Sequence, residues 1–95
     1  MEIIDDIMDN FDFAKVRECM ELLNWKWVDP DDGGFGVPKT SRIKKTARRL
    51  MQEAMDSSKA AYSVGTGGFQ VHKTTEEGKV YLSLSFVLTS WDNYA

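Results

Sequence analysis

Ninety-five residues, 42% hydrophobic and 12% aromatic with a net charge of −3, make one domain and are too apolar for a disordered tail. A chain this short hides only roughly 60 to 65% of the surface its unfolded form exposes, so its core is thin and its spare aromatics point to a homo-oligomer. A single cysteine (Cys19) and a single histidine (His72) exclude a zinc ribbon, a histidine metal cluster and an internal disulfide, and no cofactor is expected.

Residues 1–10 place Ile3, Ile4, Ile7 and Met8 at helical spacing, which allows either a short helix or a mobile tail. Asp12 is a good N-cap, with Phe11 before it and Val16 beyond it in the arrangement of a hydrophobic staple. Phe13, Val16, Met20 and Leu23 recur at intervals of three and four, so the spacing predicts a helix from about Phe13 to Trp25. Residues 28–39 read as a loop around Pro30 and Gly33-Gly34 within a helical part spanning 11–59. Asp29, Asp31 and Asp32 lack the spacing and the terminal glutamate of a calcium loop. Pro38 with Thr40 or Ser41 as cap then opens a second helix, fading around Asp56 to Lys59, whose apolar stripe is Ile43, Ala47, Leu50, Met51 and Ala54.

Residues 60–91 read as antiparallel strands. A short one covers Ala60 to Val64 and another Phe69 to Lys73, with Phe69 and Val71 on one face and Gln70 and His72 on the other. Thr74 to Gly78 makes a hairpin turn, and Lys79 to Thr89 is a long strand whose Val80, Leu82, Leu84, Phe86 and Leu88 all point one way. That strand is taken as the organiser. The 69–73 segment pairs with about 79–84, and its beginning, or the 60–64 segment, pairs further along the long strand. The expected fold is α+β: two helices, or three with the N-terminal segment, on one face of a small antiparallel sheet built on a C-terminal β-hairpin. Trp91 and Tyr94 are expected to close the core edge or a subunit contact.

Charge is unevenly spread. Residues 1–32 hold ten acids against three bases, whereas 33–59 hold seven bases against Glu53 and Asp56. Arg42, Lys44, Lys45, Arg48 and Arg49 fall on the outer arc of the second helix, either as a solubilising face turned toward the acidic first third or as a phosphate site. The glycines of Gly65-Thr66-Gly67-Gly68 mark either a tight connection or a backbone nest for an anion. Trp25, Trp27 and Phe69 could stack on a base. Gly67 to Thr74 imitates a phosphate-binding loop but has His72 where glycine is needed and reads as strand. Cys19 lies mid-helix beside the apolar stripe, so pairing with His72 as nucleophile and base is disfavoured, and no enzyme activity is expected.

The combination Phe11-Asp12-Phe13-x-x-Val16, Leu23-Asn24-Trp25-x-Trp27, Val37-Pro38, the basic helix, Thr66-Gly67-Gly68-Phe69 and Leu84-x-Phe86-Val87-Leu88-x-x-Trp91 resembles a group of short bacteriophage and prophage proteins of no assigned activity. The resemblance spans Phe11 to Trp91 and rests on spaced aromatics and glycines, so no residue roles come with it. It implies an accessory protein acting in the cytoplasm of an infected host cell. Such proteins often counter host defence by gripping a defence protein or sequestering its nucleotide messenger.

The resulting expectation is a non-catalytic oligomer that captures a small anionic nucleotide, linear or cyclic, through Trp25, Trp27, Arg42, Lys45, Arg48, Arg49, Thr66, Gly67, Gly68, Phe69 and His72. An inhibitor that binds a host defence enzyme is the alternative, and single-stranded nucleic-acid binding fits less well with the net negative charge. No membrane partner is expected, since no signal peptide or long apolar run is seen. The sheet face carrying Tyr81, Ser83, Ser85, Val87 and Thr89, with Gln70 and His72, is too polar for a core and too free of charge for an ordinary surface. It is where a subunit or partner is expected to dock.

Overall fold

A computed structural model describes residues 2–28 and 35–87. Asp12 caps as its sequence position predicts: its carboxylate accepts the Lys15 backbone N–H at 3.0 Å, and helix α2 runs Phe13–Leu22. It stops three residues short of the predicted end because Asn24 adopts φ +51°. There the Trp25 N–H donates to the Met20 carbonyl (2.8 Å) and the Asn24 N–H to that of Glu21 (3.1 Å), a Schellman closure with asparagine at the left-handed position. Before α2, helix α1 (Ile3–Asn10) forms and buries Ile4, which decides the N-terminal segment in favour of helix.

The loop expected over 28–39 is not all loop. Strand β1 (Trp27–Val28) pairs antiparallel with β2 (Phe35–Gly36), while residues 29–34, with the aspartates weighed for calcium, lie outside the described residues. Helix α3 (Thr40–Asp56) follows the buried Pro38 and buries the whole predicted stripe, with Ile43, Ala47, Met51 and Ala54 fully enclosed. Neither Thr40 nor Ser41 caps it: Lys39 occupies the N-cap position and no side chain bonds the first turn.

Strands β3 (Tyr62–Thr66), β4 (Phe69–Glu76) and β5 (Lys79–Phe86) form one antiparallel sheet in the order β3-β4-β5. Two corrections follow. Strand β3 pairs with β4 and not with the long strand, so β4 is the centre of the sheet and β5 is an edge. The hairpin turn is also tighter than Thr74–Gly78, since β4 continues to Glu76 and only Glu77-Gly78, both at positive φ, connect the strands. Positive φ at two central residues gives the turn a twist that matches its strands.

The three helices cover one face of the sheet, giving the α+β architecture that the pattern predicts. Phe69 and Val71 of β4 are buried beneath them, and Val80, Leu82, Leu84 and Phe86 of β5 are half-buried on the same side. Lys73 shares that buried row. Its ammonium donates to the Ser57 carbonyl just past the last turn of α3, where positive charge complements the helix C-terminus. Leu88, Thr89, Trp91 and Tyr94 lie outside the described residues.

Gly67 (φ +60°) and Gly68 (φ +93°) connect β3 to β4, and both meet aromatic rings. A Cβ on Gly67 would lie 2.9 Å from the Trp27 ring, and one on Gly68 would lie 2.8 Å from the Phe86 ring. Gly78 (φ +78°) has open space around it. Gly68→Ala should therefore cost about 2–5 kcal/mol, from backbone strain plus overpacking against Phe86. Gly78→Ala should cost only about 1–2 kcal/mol, from the left-handed backbone alone. Urea unfolding of the two variants checks this, and equal losses would contradict the close packing of the first turn.

Candidate functional site

The residues predicted to gather around one ligand are dispersed by the fold. Phe69 is only 1% exposed, with its ring centroid 4.7 Å from that of Phe86, 6.2 Å from Phe13 and 6.3 Å from Phe11. It is a core residue, and a stacking role for it is overturned. Trp25 is half-buried with its ring 6.4 Å from Phe86, and Trp27 is half-buried with its ring over Gly67. The glycines are spent on this packing: the Gly68 carbonyl accepts the Val87 N–H at 2.9 Å, and Gly67 and Gly68 approach rings where an anion was expected.

The basic face of α3 is exposed at Lys45, Arg48 and Arg49, with Arg42 half-buried. Arg48 bonds Asp5 of α1 at 3.0 Å, so at this pair the acidic first third does meet the basic helix within one chain. Both side chains are about half exposed (49% and 48%), which limits the pair to roughly 0.2–1 kcal/mol. Arg49 borders an open cleft of about 610 Å³ shared with Gln52, Glu53, Asp56, Ser57, Ser58, Lys59 and Tyr62. Glu53 and Asp56 on this lining offset Arg49 and Lys59, so the cleft has no net positive charge to draw an anion.

His72 lies on the far side of the sheet. Its neighbours in β4, Val71 and Lys73, point under the helices, so alternation turns His72 away from α3. Thr66 is exposed at the end of β3, and His72 belongs with neither it nor the arginines. On this open face the Ser63 hydroxyl and His72 Nδ1 are 2.7 Å apart, joined across the β3–β4 pair, with Ser83 opposite His72 on β5. Sequence reading missed Ser63, because only the cross-strand register brings it to His72. The pair has the beginnings of a nucleophile and base, but among the described residues no carboxylate bonds the other ring nitrogen. Ser63, Gln70, His72, Thr74, Tyr81, Ser83, Ser85 and Val87 are all exposed there, and alternation adds Glu76 and Lys79 at the turn end, where Lys79 Nζ lies 5.4 Å from the centre of the Tyr81 ring.

Among the described residues no group of three histidine, cysteine, aspartate or glutamate side chains is placed to hold a metal ion, and no helix is long and apolar enough to cross a membrane. Comparison with protein-family models, curated proteins and solved structures gives no match.

Tyr62 is the one described group with a displaced titration. Desolvation beside the end of α3, then the negative charge of Glu53, then a 3.3 Å hydrogen bond to Glu53 Oε2, all raise its phenol above the ordinary value of 10.0. A raised value means the folded state favours the neutral phenol. Its contribution to stability is therefore complete below about pH 10 and is lost as pH rises through the folded-state value. Absorbance titration should show a late-ionising tyrosine, absent in Tyr62→Phe, whose midpoint falls toward the ordinary value in Glu53→Gln; an unmoved midpoint in Glu53→Gln would contradict the Glu53 contact.

Proposed function

We propose that this protein acts by binding another protein through the open face of its sheet, without catalysis of its own. The observation that carries this reading is the composition of that face: exposed Ser63, Gln70, His72, Thr74, Tyr81, Ser83 and Ser85 over three strands, with Glu76 and Lys79 only at its turn end. The absence of lysine and arginine across its middle removes the charge that a nucleic-acid or phosphate ligand needs. Uncharged polar and aromatic residues with few charges match the centre of a protein interface. The phage resemblance makes a bacterial host protein the first partner to seek.

Nucleotide capture by α3 is the weaker reading, because Arg48 is paired within the chain, Phe69 is buried and His72 faces the other way. The test uses two β4 substitutions, His72→Glu and Thr74→Arg, which leave the helical face untouched. Wild-type protein should retain a stoichiometric protein from bacterial lysate. The double variant should lose it at unchanged melting temperature, and Lys45→Glu should keep it. Retention by the double variant would overturn the assignment of the face. A nucleotide-dependent rise in melting temperature, about 2.7 kcal/mol of added stability at 100 times the dissociation constant, would favour the nucleotide reading instead.

A further inference from the structure

Among the described residues no strand pairs with the outer edge of β5. Glu76 faces Lys79 across the two-residue turn, and the Val87 N–H bonds the Gly68 carbonyl at 2.9 Å. In an antiparallel ladder these contacts commit the backbone groups of odd-numbered residues in β5 to β4. The N–H and C=O groups of Val80, Leu82, Leu84 and Phe86 therefore point outward along the sheet edge.

Edges of this length are ordinarily guarded by charge, proline or a bulge. Between Val80 and Val87 there is none of these. The opposite edge, β3, is five residues long and contains Gly65, which leaves β5, at eight residues, the better template. Burial points the same way. Phe69 and Val71 on the central strand are 1% and 0% exposed, but the inward side chains of β5 are only half-buried, although α1 and α3 both reach this strand.

We propose that two chains pair β5 against β5 antiparallel about a two-fold axis through Ser83, extending the sheet to six strands. This register sets Leu82 opposite Leu84 of the second copy and Val80 opposite Phe86, so all four outward-pointing backbone pairs are matched and the half-buried apolar rows cover each other. Self-complementarity selects a second copy as occupant, since the unguarded outward groups and apolar side chains of one β5 meet the same set on the other, and the charge pattern does not oppose it. Lys79, the only charged residue of β5, lies at its start, and the two-fold places the two lysines at opposite ends of the paired strands. This inference does not rest on the protein-binding reading, which concerns the face and not the edge.

The register makes a sharp test, because Ser83 would face its own copy at a non-hydrogen-bonded position. Cα atoms there are about 4.5 Å apart, within disulfide reach. In a Cys19→Ser background under mild oxidation, Ser83→Cys should link most of the protein into dimers at an unchanged melting temperature. Gln70→Cys, on the outward face of the central strand, should link at least tenfold more slowly. Sedimentation of the unmodified protein should give a dimer mass, and Ser83→Lys, which opposes two ammonium groups on the axis, should give a folded monomer. Equal linking at the two positions would overturn the proposal. So would a monomeric wild type at all concentrations, whether its edge is bare or covered by another segment of the chain.

Discussion

The placement of Phe69 is the constraint from which the rest of the structure follows. It begins the central strand, lies at 1% exposure, and is ringed by Phe11 and Phe13 from the start of α2 and by Phe86 from the end of β5. Truncating such a residue to alanine typically costs about 3–5 kcal/mol, a large share of the stability of any small domain. Because the ring must enter the core directly after a turn, the two residues before it are pressed between Trp27 and Phe86, and only glycine fits there. The glycine run answers to packing, and the same packing joins helices, short hairpin and sheet into one core.

That core leaves little of the helical surface uncommitted. The acidic α1 and the basic α3 meet through Asp5 and Arg48, and Lys73 turns inward to the end of α3. What the fold leaves open is the side of the sheet no helix covers and the edge of its last strand. Both carry short uncharged side chains in exposed positions, and both proposals use these surfaces.

Local signals were readable in the sequence wherever one residue type answers one backbone need. Asp12 caps as predicted, the stripe of α3 is buried residue for residue, and the alternation of Phe69, Val71 and Lys79 to Phe86 gives the correct faces. Alternation states which residues share a face but not which strand lies beside which, so the sequence leaves open a pairing of the 60–64 segment with the long strand, whereas β3 pairs with β4 and β5 is an edge. The early end of α2 depends on Asn24 taking a left-handed conformation that Gly more often takes. For Phe69 two readings of the sequence competed: adjacency to glycines suggested an exposed stacking ring, while alternation with Val71 put it inside. Core burial decided between them. The Ser63–His72 contact needs the register of an entire hairpin, which no local pattern specifies.

The central claim is that the outer edge of β5 pairs with a second copy of the chain. Residue-resolved amide hydrogen exchange along β5 as a function of protein concentration tests that most directly. Tyr81, Ser83 and Ser85, bonded to β4, should be protected throughout, whereas Val80, Leu82, Leu84 and Phe86 should be protected in concentrated solution and lose protection on dilution. Rapid exchange of those four amides at every concentration would contradict it.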